Sequence, residues 1–208
     1  MMSLKGFILK RLRQEAWERF NWEVDKKQDI QRACFVVFDT ETTGLDLKKD
    51  EALSIGAVRI ENLRIDLSKS FYALLKPTRE LTESVKVHGI TPQELKEARD
   101  KREVCLDFIE YARGCILVGY FVHIDVTMIK KLVERECKGF FHPHTLDVVD
   151  MLEKKDRIPT LEELLKTYGL PVSSFHNAIE DAYMTALVFL RLLKEERYSK
   201  VGELPLRH

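Results

Sequence analysis

An unbroken run of five apolar residues, Cys34-Phe35-Val36-Val37-Phe38, ends abruptly at Asp39. Such a run predicts a central strand buried on both faces, because a strand with one wet face alternates apolar and polar residues. Two acids, Asp39 and Glu41, stand at the carboxyl end of this strand. Residues two apart on a strand project to the same side, so we expect the two carboxylates to converge on one point.

Converging carboxylates repel each other, and a divalent cation between them removes that repulsion. Hard oxygen ligands with no nearby cysteine favour magnesium or manganese over zinc. The segment Thr42-Thr43-Gly44 adds hydroxyls, exposed amides and a flexible residue, which suit close approach of the backbone to a sugar or phosphate. The same residues also fit a turn that leaves both acids in solvent, so the metal hypothesis depends on residues farther along the chain.

A histidine and an acid stand together near the far end of the chain, at His176 and Asp181. From Ala178 onward the apolar residues recur at steps of three and four, which predicts an amphipathic helix facing the core. Asn177 is the expected N-cap of this helix. His176 would then lie in the entry segment and Asp181 in the first turn, so that a base and a metal ligand share one helix mouth. Taken singly, a histidine here also fits an ordinary exposed loop residue.

A further acid, Asp125, lies between these two segments. The pattern predicts an apolar strand over 115–118, a break at Gly119 and then a helix that continues through Val133. Near the start of that helix, Asp125 can point back at the strand end that carries Asp39. On its own, an acid in a first helical turn usually only offsets the helix macrodipole.

Together these segments resemble the DEDDh family of 3′-to-5′ exonucleases, which includes the proofreading epsilon subunit of bacterial replicative polymerases. The motifs that carry the resemblance are Asp39-Thr40-Glu41-Thr42-Thr43-Gly44, Asp125, and His176-x-Ala178-x-x-Asp181, with further matches at His88-Gly89-Ile90-Thr91 and Asp147. The match covers residues 34 to 193. One departure is the pair Tyr120-Phe121, which stands where many members have His-Asn.

The resemblance implies an α/β, ribonuclease H-like fold with a mixed five-stranded sheet flanked by helices. Beyond the first strand, we expect strands over 53–60, 71–75 and 115–118 and near 145–148. The predicted organisation is an amphipathic helical extension over 1–32, an exonuclease domain over 33–196 and a short tail over 197–208.

The resemblance also assigns roles to the site residues. Asp39, Glu41, Asp125 and Asp181 are the expected ligands of two divalent ions, Mg²⁺ or Mn²⁺. His176 is the expected general base, because histidine is the side chain that changes charge near neutral pH. Activity should therefore rise from mildly acid to alkaline pH, with release of nucleoside 5′-monophosphates.

Substrate contacts are expected from residues around these carboxylates. The residues assigned to this role are Thr40, Thr42, Thr43, Gly44, Leu45, His88, Tyr120 and Phe121. The aromatic pair could stack on a terminal base, although Phe121 fits packing as well. For His88 a simple turn is an equal alternative.

The expected substrate is the 3′ end of single-stranded nucleic acid, with DNA favoured over RNA. An exoribonuclease that trims RNA ends and a non-catalytic module that binds 3′ ends are the alternatives. The tail after Leu193 shows neither a clamp-binding motif nor a long polymerase-binding extension, which favours a stand-alone enzyme of repair or turnover. A formal net charge of zero, from 34 basic and 34 acidic residues, predicts a local grip on nucleic acid.

The remaining expectations concern the extension, the cysteines and the compartment. An apolar helical face in the extension, including Phe7, Trp17 and Phe20, could dock on the core, bind a protein partner or rest on an anionic membrane surface, and docking or a partner is favoured. No apolar stretch is long enough to span a bilayer, and no signal peptide is expected. The four cysteines lack Cys-x-x-Cys spacing and are predicted to be reduced core residues of a cytoplasmic protein.

Overall fold

Six strands form one mixed sheet in the computed structural model, which describes residues 15, 17–44, 46–78, 89–91, 93–153, 157–173 and 176–207. The strands are β1 (Phe35–Thr42), β2 (Ala52–Glu61), β3 (Arg64–Leu74), β4 (Ile116–Gly119), β5 (Thr145–Asp147) and β6 (Leu206–Arg207). Their order across the sheet is β3-β2-β1-β4-β5-β6. The apolar run of β1 lies inside the sheet, and residues 35–38 are at most 1% exposed, so the prediction of a buried central strand is confirmed.

Strand β1 joins an antiparallel part of the sheet to a parallel part. This strand pairs antiparallel with β2 on one side and parallel with β4 on the other. The β2–β3 pair is antiparallel, β4–β5 is parallel and β5–β6 is antiparallel. The predicted α/β, ribonuclease H-like class with a mixed sheet is confirmed.

Two details of the sheet differ from the prediction. The expected count of five strands is wrong, because β6 in the tail pairs with β5; a two-residue strand is too short to show any periodicity. The third strand begins at Arg64, well before the predicted start at residue 71. Its first part shows no apolar pattern, because most of this edge strand is exposed and polar. Asn62 and Leu63, both with positive φ, form the tight turn that joins β2 to β3.

Helices cover both faces of this sheet. They are α1 (Lys101–Ala112), α2 (His123–Leu132), α3 (Leu161–Thr167) and α4 (Ala178–Glu196). One hydrophobic core lies between the sheet and α3 and α4, and the other lies between the sheet and α1 and α2. A single turn of π-helix, Val133–Cys137, continues α2, and short 3-10 turns lie at Ile30–Arg32, Glu94–Glu97, Val148–Met151 and Val201–Glu203.

The described end of the amino-terminal extension packs onto the domain. Residues 17–20 are helical, and Phe20 is buried in the core on the α1 side. The Asn21 side-chain amide donates to the Phe140 carbonyl at 2.8 Å, and the Trp22 indole donates to the Cys115 carbonyl at 2.8 Å. Residues 1–14, with the first turns of the predicted amphipathic helix, lie outside the described residues. Each helix of the described chain is too short or too polar to cross a membrane.

The prediction that all four cysteines are reduced is wrong for two of them. Cys34 and Cys115 form a disulfide. They precede Phe35 and Ile116, which face each other across the parallel β1–β4 pair, and their Cα atoms are 4.5 Å apart. The pairing was hidden in the sequence because 81 positions separate the two cysteines, and only the sheet brings them together. Cys105 and Cys137 are free thiols.

Candidate active site

Three carboxylates converge at the carboxyl end of β1. Asp39 and Glu41 project from the same side of that strand, and Asp181 comes from the first turn of α4. One oxygen of each lies within 4.8 Å of the others, a spacing that could hold a metal ion. The structure therefore brings together three of the four acids that the sequence assigned to metal binding.

The start of α4 is fixed by its cap and by the strand beneath it. Asn177 caps the helix as predicted, and its side-chain oxygen accepts a hydrogen bond from the Ile179 amide at 3.2 Å. The backbone of Ala178 and Ile179 rests directly on Gly56 of β2, the residue that faces Asp39 across the β1–β2 pair. A Cβ atom at Gly56 would lie 2.2 Å from backbone atoms of both helix residues.

Gly56 is a site-determining residue that the sequence analysis missed. Its signal was present, because a single glycine inside an otherwise apolar strand often marks a place where another backbone approaches closely. Without a side chain at this position, α4 comes close enough to place Asp181 beside Asp39.

Asp125 is buried beside the cluster and is held by β1. Its Oδ1 accepts hydrogen bonds from the Thr40 amide at 2.9 Å and from the Thr40 hydroxyl at 2.7 Å. The side chain is 4% exposed, and it does not belong to the group of three converging carboxylates. Thr40, expected as a substrate contact, is itself buried and positions Asp125.

The site concentrates negative charge in a poorly solvated place. Burial, followed by repulsion from neighbouring carboxylates, raises the pKa of Asp39 well above its usual range. The same two causes raise the pKa of Glu41 to about 7. Burial raises the pKa of Asp181 to about 6, although a hydrogen bond from the His176 amide opposes the shift. Bound positive charge would favour the ionised form of each group.

His176 lies at the mouth of the cluster. Its side chain is exposed, and its backbone has a φ of +71° in the left-handed region. Its amide donates to Asp181 Oδ2 at 3.1 Å, which ties the entry segment to the first turn of α4. Asp181 Oδ1 is buried and accepts no hydrogen bond from any residue that the structure describes.

The threonine hydroxyl groups at the end of β1 and in the following loop form hydrogen bonds within this segment. The Thr42 hydroxyl donates to the Gly44 carbonyl at 2.7 Å, and the Thr43 hydroxyl donates to Asp50 Oδ1 at 2.8 Å. These contacts hold the loop against β1 near the carboxylates. Leu45 and His88, two further expected substrate contacts, lie outside the described residues.

The aromatic pair at the end of β4 has two different surroundings. Tyr120 packs against the core on the α4 side, and its hydroxyl donates to the Pro159 carbonyl. Phe121 adopts a φ of +57°, and its amide donates to Asp147 Oδ1 at 3.0 Å. Asp147, which is 2% exposed, also accepts from the Val149 amide, so it joins the end of β5 to the turn before α2.

Comparison with known proteins shows what this arrangement is similar to. An exonuclease family model, RNase_T, matches residues 36–189. The DNA polymerase III subunit epsilon of Aquifex aeolicus is 32% identical over 180 residues, which cover 85% of this chain and 88% of that protein. A DNA polymerase III of PolC type from Thermotoga petrophila is 31% identical over 176 residues, covering 83% of this chain and 13% of that protein. The chain thus spans only a small part of the length of its PolC-type relatives.

Solved structures agree on the fold. E. coli exonuclease I in complex with a dT13 oligonucleotide superposes with a TM-score of 0.67 at 20% identity, covering 80% of this chain and 42% of that one. Cell-death related nuclease 4 gives a TM-score of 0.64 at 17% identity, with 79% and 65% covered. Because the family model spans most of the sequence and the epsilon relative aligns over most of both chains, the resemblance to DEDDh exonucleases is confirmed, and this chain belongs to the RNase_T family of exonucleases.

Proposed function

We propose that this chain is a metal-dependent 3′-to-5′ exonuclease that releases nucleoside 5′-monophosphates from single-stranded or frayed DNA ends. The observation that carries the proposal is the convergence of Asp39, Glu41 and Asp181 within 4.8 Å at the end of a buried strand. Three carboxylates in one poorly solvated place either remain protonated or need a compensating positive charge.

The residues present fit divalent ions. The donor set consists of carboxylate oxygens, which Mg²⁺ and Mn²⁺ prefer. Asp181 supports this fit further, because its Oδ2 is fixed by the His176 amide while its buried Oδ1 has no hydrogen-bond donor among the described residues. In this proposal Asp39, Glu41 and Asp181 would hold two divalent ions together with the buried Asp125 beside them.

When bound, such ions supply positive charge that stabilises the attacking and leaving oxygens of a phosphodiester. His176 accepts the proton of the attacking water, a role that its exposure at the mouth of the cluster permits. Thr40 keeps Asp125 in place through two hydrogen bonds to the same carboxylate oxygen. Asp147 orients the turn that precedes α2, and α2 carries Asp125.

DNA is the favoured substrate because of the relatives. The similar proteins are named as a DNA polymerase subunit and as PolC-type DNA polymerases, and a neighbour in structure was solved with a dT13 oligonucleotide. Proofreading or repair at DNA 3′ ends in the cytoplasm is therefore the proposed role, alone or beside a polymerase. A protein partner bound through the amino-terminal helix stays a prediction from its amphipathic pattern.

The test uses three substrates labelled at the 5′ end: single-stranded DNA, duplex DNA with a mismatched 3′ end, and single-stranded RNA. Each is incubated with Mg²⁺, with Mn²⁺ or with a chelator. We expect a metal-dependent ladder that shortens from the 3′ end, with faster loss of both DNA substrates than of RNA. Faster loss of RNA would replace the DNA assignment with RNA trimming.

Two matched variants make the result specific to the site. Asp39→Asn keeps the shape of the side chain but removes one converging charge, and we expect it to abolish the ladder. Asp107→Asn removes an exposed carboxylate on α1 that pairs with Arg99, and activity should be retained. Intact substrates under every metal condition would overturn the catalytic proposal and leave a module that binds 3′ ends.

A further inference from the structure

Two free cysteines lie side by side away from the carboxylate site. Cys105 is on α1, and Cys137 ends the π-helical turn that continues α2. Their Sγ atoms are 3.3 Å apart, although 32 positions separate the residues in the sequence. The four cysteines of the chain are therefore two pairs in space, and one pair, Cys34 and Cys115, is already a disulfide.

The two segments that carry the free pair are held in register by a neighbouring contact. The guanidinium of Arg102, one helical turn before Cys105, donates to the Glu136 carbonyl at 3.0 Å. Glu136 immediately precedes Cys137. The approach of the two sulfur atoms is thus part of the packing between α1 and the end of α2, and it does not depend on the sulfur contact alone.

The pair is asymmetric in its access to solvent. Cys105 is 1% exposed in the core on the α1 side, whereas Cys137 is half-buried. Burial, together with the neighbouring Cys137 sulfur, raises the pKa of the Cys105 thiol above its usual range. A dissolved reagent would consequently meet Cys137 first, and Cys105 would act second.

We propose that Cys105 and Cys137 are a modification site that forms a reversible second disulfide by exchange with a small-molecule disulfide such as oxidised glutathione. The Cys137 thiolate attacks one sulfur of the reagent, which forms a mixed disulfide and expels one glutathione thiolate. Cys105 then loses its proton to solvent and attacks Cys137 Sγ, which forms the protein disulfide and expels the second glutathione. The two protein thiols are oxidised, and the reagent is reduced to two thiols.

This crosslink would join two elements that flank one core. The closed loop contains β4 and α2, the helix whose first turn carries Asp125. Closing a loop of this length restricts the unfolded chain more than the folded one, so the oxidised protein should resist unfolding better. For a chain of this size we expect the melting temperature to rise by about 5–10 °C on oxidation.

The experiment equilibrates the purified full chain with oxidised and reduced glutathione at several ratios, blocks free thiols with iodoacetamide in denaturant, and maps the peptides by mass spectrometry. We expect a crosslinked peptide that joins positions 105 and 137, and a whole-chain mass lower by about 2 Da per bond formed. This bond should appear and disappear with the glutathione ratio, and the melting temperature should follow it.

One variant, together with the unmodified chain, separates the new bond from the existing disulfide. Cys137→Ser should abolish both the crosslinked peptide and the oxidation-dependent rise in melting temperature, while the peptide joining positions 34 and 115 remains. Mapping the unmodified chain does not depend on whether any variant folds. Alkylated cysteines at both positions under the most oxidising ratio, or a glutathione adduct at Cys137 that never resolves, would overturn the proposal. None of these outcomes depends on nuclease activity.

Discussion

The Gly56→Ala substitution tests whether one missing side chain sets the geometry of the carboxylate site. The added Cβ atom would lie 2.2 Å from the backbone carbon of Ala178 and from the backbone nitrogen of Ile179. Both neighbours are main-chain atoms at the start of α4, so no side-chain rotation can relieve the overlap. The helix and β2 have to move apart.

The required movement follows from ordinary contact distances. Separating the atoms from 2.2 Å to 3.4 Å, the start of normal van der Waals contact, takes a displacement of about 1.2 Å. Metal coordination tolerates errors of only about 0.2 Å in ligand distance. Asp181 lies in the helical turn that must move, whereas Asp39 and Glu41 stay on β1. A misplacement of about 1 Å at a reacting centre can cost on the order of 10²-fold in rate.

The assay compares binding of Mn²⁺, followed by isothermal titration calorimetry, with kcat and KM on single-stranded DNA. We expect Gly56→Ala to weaken Mn²⁺ binding at least about tenfold and to lower kcat by about 10²-fold, with a smaller effect on KM. The substitution should also lower the free energy of unfolding by about 1–3 kcal/mol, because it overpacks a buried contact.

Gly139→Ala is the matched control. Its Cβ atom would lie 2.3 Å from the ring of Phe20, which is packed in the core and has little room to rotate away. Phe20 lies near Trp22, whose indole donates to the Cys115 carbonyl just before β4, away from the carboxyl end of β1 that carries the site. This control should lose a similar amount of stability and keep both Mn²⁺ affinity and kcat. Unchanged Mn²⁺ binding in Gly56→Ala, or an equal loss of binding in both variants, would refute the positional argument.

Three further predictions concern charge and proton transfer. The folded-state pKa values of Glu41 and Asp181, about 7 and about 6, are raised above those of unfolded carboxyl groups. In metal-free protein, protonation of these two groups therefore contributes stability that is fully present below a pH of about 4 and is lost as the pH rises through 6 to 7. Its melting temperature in chelator should fall from pH 5 to pH 8, and Mn²⁺ should raise it more at pH 8; a melting temperature that increases over this range would contradict the assignment. Thr40→Val removes a hydroxyl donor from buried Asp125 and should lower the free energy of unfolding by about 1–3 kcal/mol in urea titrations, whereas a neutral effect would mean that water replaces the bond. His176→Ala should lower kcat by about 10²-fold or more and flatten its rise with pH, with partial recovery in added imidazole; an unaltered pH profile would exclude this histidine as the base.

The parts of the fold that the sequence predicted have strong local patterns. The apolar run before Asp39 is the buried central strand, and the helix begins at Ala178 behind its Asn177 cap, as its periodicity indicated. In both cases the controlling information lies within a few neighbouring residues. The acids Asp39, Glu41 and Asp181 could be placed together because each stands at a predictable end of such an element.

The parts that escaped prediction depend on contacts between distant segments. The Cys34–Cys115 disulfide requires knowing that β1 and β4 are parallel neighbours, which no spacing rule reveals. The placement of Asp125 beside β1 was predicted, but the hydrogen bonds from Thr40 that hold it were not, because the two residues are 85 positions apart. Gly56 does have a local signal, a glycine within a mostly apolar strand, but the sequence does not show that α4 is the element that rests on it.

The short strand β6 also protects the molecule from association with itself. Without Leu206 and Arg207, β5 would present an unpaired row of backbone groups at the edge of the sheet, and exposed edges of this kind recruit strands from other molecules. Arg207 secures the cover through its ion pairs with Asp147 and Asp150. Ending the chain at residue 196, the predicted end of the exonuclease domain, would therefore remove β6 and expose the edge of β5, and we expect such a truncated chain to aggregate during expression.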